Sequence, residues 1–175
     1  MKVALLVPMS PESAIGDVMV QAIPGLTEHW EIEVWCPEEP LYRPCPVPLR
    51  PYAEPDDQLL EALARFDLVV YVIGDSLRHS RILPLAQRLP GLVILHDASL
   101  TNLVRNAAVE QNTLGSLCER IERDYGSDEA KVMRNSNAAG NDLEWLRYCA
   151  KVPLVDIAID GSLGVVVHSC GMPSG

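Results

Sequence analysis

No stretch of the 175-residue sequence approaches the ~18 consecutive apolar residues of a membrane span, so no part of it reads as a transmembrane helix. Positive charge is scarce too. The chain has 14 Lys and Arg against 24 Asp and Glu, a formal net charge of −10. That balance argues against a nucleic-acid partner, which calls for a basic face, and against electrostatic attachment to anionic lipid. The five cysteines (Cys36, Cys45, Cys118, Cys149, Cys170) form no CxxC pair and no regular spacing. Neither zinc nor a disulfide framework is supported, and the thiols read as reduced cysteines of a cytoplasmic protein. The opening MKVALLVP is too short for the apolar core of a signal peptide and is stopped by Pro8, so it reads as a first strand.

Several catalytic signatures are missing. The loop after the first strand, Pro8-Met9-Ser10-Pro11-Glu12-Ser13-Ala14-Ile15-Gly16, contains no GxGxxG, and no Walker loop occurs anywhere. Ser13 and Ser169 lack the Gly-x-Ser-x-Gly elbow of a nucleophilic serine. Asp75, His79, His96 and Asp97 have no spacing diagnostic of a metal site. There is no internal repeat. What remains is an ordinary globular composition, 48% hydrophobic and 22% charged, in a length that fits one domain over residues 1–175.

The organising stretch is Asp67 to Asp97, DLVVYVIGDSLRHSRILPLAQRLPGLVILHD. Leu68–Ile73 and Leu92–Leu95 are continuous apolar runs of the kind strands show when both faces are covered. The helical segment between them, Ser76 to Leu89, makes a βαβ crossover with parallel strands. Ligands of such sheets sit beyond the carboxyl ends of the strands, where Gly74-Asp75 and His96-Asp97 fall.

The rest of the chain repeats this logic. Lys2–Val7 reads as a central strand, and a helix from Ile15 to about His29 follows, expected to kink or end early at Pro24-Gly25. Glu31–Cys36 reads as a strand nearer the rim. Pro37–Pro55 holds seven prolines, which exclude a helix and leave a stiff surface connection with a short edge strand near Val47–Leu49. Asp56-Asp57 caps a short helix carrying Leu59, Leu60, Leu63 and Ala64. Ser99 to Ala150 is helical in composition, broken at Gly115, Gly126 and the polar segment Asn135–Asn141, with Asp142 a cap for the helix that follows. Pro153–Leu163 is open between strand and helix, and Gly164–His168 is a final strand. The expected class is α/β, an open parallel sheet with helices on both faces.

Of the four histidines, His96 and His168 follow strands, His79 opens a helix and His29 closes one. His96 is the leading candidate, because it stands on the ligand side of the sheet with Asp97 beside it. Neighbours at a strand end point opposite ways, so Asp97 stays open between orienting His96 and capping the next helix, a task for which Ser99 competes.

Tyr71-Val72-Ile73-Gly74-Asp75-Ser76 followed by His79, and Pro90-Gly91-Leu92-Val93-Ile94-Leu95-His96-Asp97-Ala98-Ser99-Leu100, resemble the amino-terminal domain of family 4 (group 1) glycosyltransferases. Val165–Ser169 is similar to that domain's last strand, and Ser13-Ala14-Ile15-Gly16-Asp17 to its first loop. Ala14 stands where the family usually has glycine, and Asp75 where it has asparagine.

The resemblance implies half of a GT-B enzyme: a Rossmann-like, acceptor-side domain. A carboxyl-terminal donor-binding domain would lie outside this chain. It implies retaining, metal-independent transfer from a nucleotide-sugar co-substrate to a sugar or glycan acceptor, with no other cofactor. His96 would contact the donor sugar or its leaving phosphate, and Gly16 would let the first loop approach the substrates. Asp75 and His79 would line the acceptor side. Asp17, Gly74, Asp97 and Ser169 complete the expected substrate-binding set. By the same resemblance Pro153–Leu163 becomes a helix. The abrupt SCGMPSG ending reads as a fragment, expected to be inactive alone and to expose apolar surface at the strand ends that favours a homodimer. Two alternatives stand beside this reading: a non-catalytic binding or interaction module, and an unrelated α/β enzyme using His96 and Asp97.

Overall fold

The computed structural model describes residues 1–136 and 143–167. Six strands form one all-parallel open sheet: β1 (Lys2–Leu6), β2 (Glu31–Pro37), β3 (Leu49–Tyr52), β4 (Leu68–Ile73), β5 (Leu92–Leu95) and β6 (Gly164–Val167). Their spatial order is β3-β2-β1-β4-β5-β6. The chain leaves β1 to build one half of the sheet and returns beside it at β4 to build the other, so the order reverses between β1 and β4. This is a Rossmann-like α/β domain, as the strand pattern predicts.

Side chains alternate across the strands and feed two cores. Val3, Leu5, Val34, Val70 and Val72 face one side, where α1 (Ala14–Thr27) covers them with Met19 and Ile23. Ala4, Leu6, Tyr71, Ile73, Val93 and Leu95 face the other. There they pack under α2 (Asp57–Leu63), α3 (Leu83–Arg88), α4 (Thr101–Glu110), α5 (Leu114–Tyr125), α6 (Ser127–Asn135), α7 (Leu143–Lys151) and α8 (Asp156–Ile159). No described helix is long and apolar enough to cross a membrane.

Four local details depart from the sequence pattern. Helix α1 runs through Pro24 to Thr27, because only one turn remains beyond the proline and the Thr27 hydroxyl donates to the Pro24 carbonyl at 2.8 Å. The edge strand forms at Leu49–Tyr52 rather than Val47–Leu49. It tolerates Pro51 because an outer strand has an unpartnered side where a missing N–H costs nothing. The segment Ser76–Leu89 divides into a 3-10 turn at Leu77–His79 and α3, which restarts around Pro84 in its first turn. The break expected at Gly115 falls instead at Asn112, which takes a φ of 56°, a left-handed conformation that asparagine tolerates. Gly126, with φ 111°, does separate α5 from α6. Between Pro153 and Leu163 the chain makes the single turn of α8.

Candidate functional site

A crevice of about 450 Å³ opens at the carboxyl ends of β1, β4 and β5, at the point where the strand order reverses. Ser13, Ile15 and Val18 form one wall; Arg78, His79, His96 and Asp97 form the other. A larger hollow of about 640 Å³ lies between α6 and α7, lined by Glu129, Tyr148 and Lys151 among others, and shares no residue with the crevice. The strand-end position, rather than size, selects the smaller one.

The first wall is the start of α1. Ser13 caps this helix, its Oγ accepting from the Gly16 N–H at 3.0 Å. Gly16 is buried so close to the main chain that a Cβ there would lie 2.6 Å from the Pro8 carbonyl oxygen. Only glycine lets the helix start this near β1. Asp17 is exposed on the next residue and pairs with Arg43, which also donates to the Pro11 carbonyl at 2.7 Å and the Ser13 carbonyl at 3.1 Å. Asp17 therefore fastens the first loop and is not among the residues lining the crevice.

The second wall turns on Gly74. A Cβ at this position would run into the Ile15 side chain and lie 2.9 Å from the Asp97 carboxylate, so the close meeting of β4, α1 and β5 depends on the missing side chain. Asp97 accepts from the Asp75 N–H at 2.6 Å through Oδ2 and so locks the turn after β4. Asp75 accepts from the Leu103 N–H at 2.8 Å and from Asn102 Nδ2 at 2.7 Å, supplying α4 with an N-terminal partner that Leu100 lacks. Burial raises the Asp75 carboxyl above its ordinary range, opposed by these two hydrogen bonds.

His79 is sealed at 1% exposure. Its Nδ1 lies 3.1 Å from the Ser76 hydroxyl, while its Nε2 has no hydrogen-bond partner among the described residues. Burial pushes its pKa down to about 4, so the ring is neutral at neutral pH. His96 is half-buried at the end of β5, held by its N–H donating to the Ile73 carbonyl at 3.0 Å. Ser169 and His168 lie outside the described residues.

Of the expected residues the crevice unites His96, Asp97 and His79; Gly16, Gly74 and Asp75, like Asp17, are not among the residues that line it. Arg78 is a wall residue that sequence reasoning missed. It donates to Ser10 Oγ at 2.7 Å and pairs with Glu12, joining the turn after β4 to the loop after β1. No local signal marks it, since Glu12 and Ser10 lie 66 and 68 residues away and Glu39, 3.8 Å from it, is also remote in sequence. No group of three or more metal-ligand side chains occurs among the described residues. The Cys36 thiol is pushed up to about 12 by burial, which leaves it inert at neutral pH.

Compared with known proteins, the chain matches no protein-family model, no curated protein and no solved structure. Fold and crevice alone define its class: a Rossmann-like α/β domain whose polar residues gather at the topological switch point.

Proposed function

We propose that the crevice is the acceptor-side half of a retaining glycosyltransferase site, completed by a carboxyl-terminal donor-binding domain outside these 175 residues. The observation that carries this reading is the convergence of Ser13–Ile15, Ser76, His79 and His96-Asp97 on one crevice at the strand ends, with Gly74 packed against Ile15 and Asp97. These are the segments in which the sequence resembles family 4 glycosyltransferases. An imidazole and a carboxylate on the crevice wall, His96 and Asp97, suit hydroxyl groups, the functional groups a sugar or glycan acceptor presents. A nucleotide-sugar is the co-substrate, bound mainly by the second domain.

Joined to its donor domain, the protein is expected to transfer sugar with retention of configuration and without added metal. His96→Ala should then lower turnover by about 10²-fold, the loss typical of one polar group at a reacting centre, while the melting temperature stays unchanged. Unaltered turnover in a folded His96→Ala protein removes His96 from the site. Transfer by the 175-residue chain alone at enzyme-like rates, above about 1 s⁻¹, overturns the split-domain reading.

A second reading, a non-catalytic binding module, is favoured by one observation: Asp75 and Asp97 both spend carboxylate oxygens on main-chain N–H groups. Saturation-transfer NMR with a panel of free sugars and nucleotide-sugars separates the two. The transferase reading expects contacts that His96→Ala removes, and the module reading expects none.

A further inference from the structure

The two walls of the crevice differ in kind. Helix α1 brings Ala14, Ile15 and Val18 to it, three hydrocarbon side chains that fall on one face of the helix's start. Met19 and Ile23 hold α1 to the sheet, so Val18 is not needed for the core and stands 48% exposed. The polar side chains at this end of the helix are committed: Ser13 is buried and accepts from the Gly16 N–H, and Asp17 pairs with Arg43. The opposite wall is polar throughout, made by Ser76, Arg78, His79, His96 and Asp97.

The charges of the crevice disfavour an anion. Its arginine, Arg78, pairs with Glu12 and lies 3.8 Å from Glu39 as well. Glu12 and Asp97 are themselves lining residues. A phosphate or carboxylate entering here would meet these two carboxylates, beside a guanidinium already shared between two acids. No Phe, Tyr or Trp lines the crevice, so no such ring is present on which the C–H face of a free sugar could stack.

We infer that the acceptor is an uncharged sugar carrying an aliphatic aglycone, its hydroxyl groups on the polar wall and its hydrocarbon along Ala14, Ile15 and Val18. The inference rests on the reading of the crevice as an acceptor site and narrows that reading to one substrate class. A free polyol would leave Val18 in water. An alkyl group lying against it removes both apolar surfaces from water, and each methylene fully buried strengthens binding by up to about fourfold.

The test is NMR titration of the 175-residue chain with the methyl and hexyl glycosides of glucose, galactose and mannose. For at least one sugar the hexyl glycoside should bind about tenfold or more tighter than its methyl counterpart. Nuclear Overhauser contacts should run from the hexyl methylenes to the Val18 methyl groups. Val18→Asp should reduce the preference to about threefold or less, and Val18→Ser, a milder change at the same exposed position, should reduce it in the same direction. Val109→Asp makes the matching change at an equally exposed valine on α4 that does not line the crevice, and should leave the preference intact. Equal binding of methyl and hexyl glycosides, both lost in His96→Ala, overturns this inference and leaves the acceptor reading standing. A hexyl preference indifferent to both Val18 variants overturns it too. A preference that persists with every sugar in His96→Ala overturns the acceptor reading and this inference with it, as does the absence of any binding at about 50 mM glycoside.

Discussion

His79 ties the stability of the fold to pH. Its folded pKa of about 4 lies below the unfolded value of 6.5, so protons bind preferentially to the unfolded chain. Its contribution is fully present above pH 6.5, is lost as pH falls toward 4, and changes little below that. The slope is up to about 1.4 kcal/mol per pH unit, or about 3 kcal/mol across the window. Urea denaturation at pH 7 and pH 4.5 should show this loss, and His79→Gln should flatten it. The glycines make a second comparison at this scale. Gly16→Ala sets a Cβ 2.6 Å from a main-chain oxygen, whereas Gly74→Ala meets the ends of the Ile15 and Asp97 side chains, which can swing aside. Gly16→Ala should therefore be the costlier, by about 1–3 kcal/mol, with Gly74→Ala below it in the same urea titration.

Helix α4 depends on a residue outside itself. Leu100 at its N-cap has no side-chain oxygen, and Asp75 serves instead from the turn after β4. Asp75→Ala leaves the Leu103 N–H without this acceptor and should cost about 1–3 kcal/mol, measured as a lowered urea midpoint with an unchanged slope. The dependence explains what sequence reading can and cannot reach. Leu68–Ile73 and Leu92–Leu95 were legible as strands because a strand buried on both faces writes an unbroken apolar run. The edge strand at Leu49–Tyr52 was less legible, since proline weakens the pattern and the outer side of the strand has no packing to record. His96 and Asp97 stood out because a strand end is a local feature. The employment of Asp75 as a cap was hidden, because its partners Asn102 and Leu103 lie 27 and 28 residues downstream.

Across the whole molecule the two cores are unequal. One side of the sheet lies beneath a single described helix, α1, and the other beneath seven. The proline-dense connection from β2 to β3 contains no helix, and α1 is the single described helix on its side of the sheet. The strands, with β1 central and β2 nearer the rim, followed from apolar periodicity, because burial is repeated along every strand. The crevice followed only in part, because its walls are joined by contacts between distant segments. One of these joins makes the protein its own optical probe. Asp97 holds the Asp75 N–H, Asp75 holds Asn102, and Asn102 Oδ1 accepts from the Trp145 indole N–H at 2.8 Å. Trp145 is buried and stacked on Tyr148, with ring centroids 5.1 Å apart. A ligand that draws Asp97 away from its turn disturbs this indole at the other end of the chain of bonds. Intrinsic fluorescence should therefore register crevice occupancy without any label, and Trp145→Phe should silence the signal while Trp30 and Trp35 still emit.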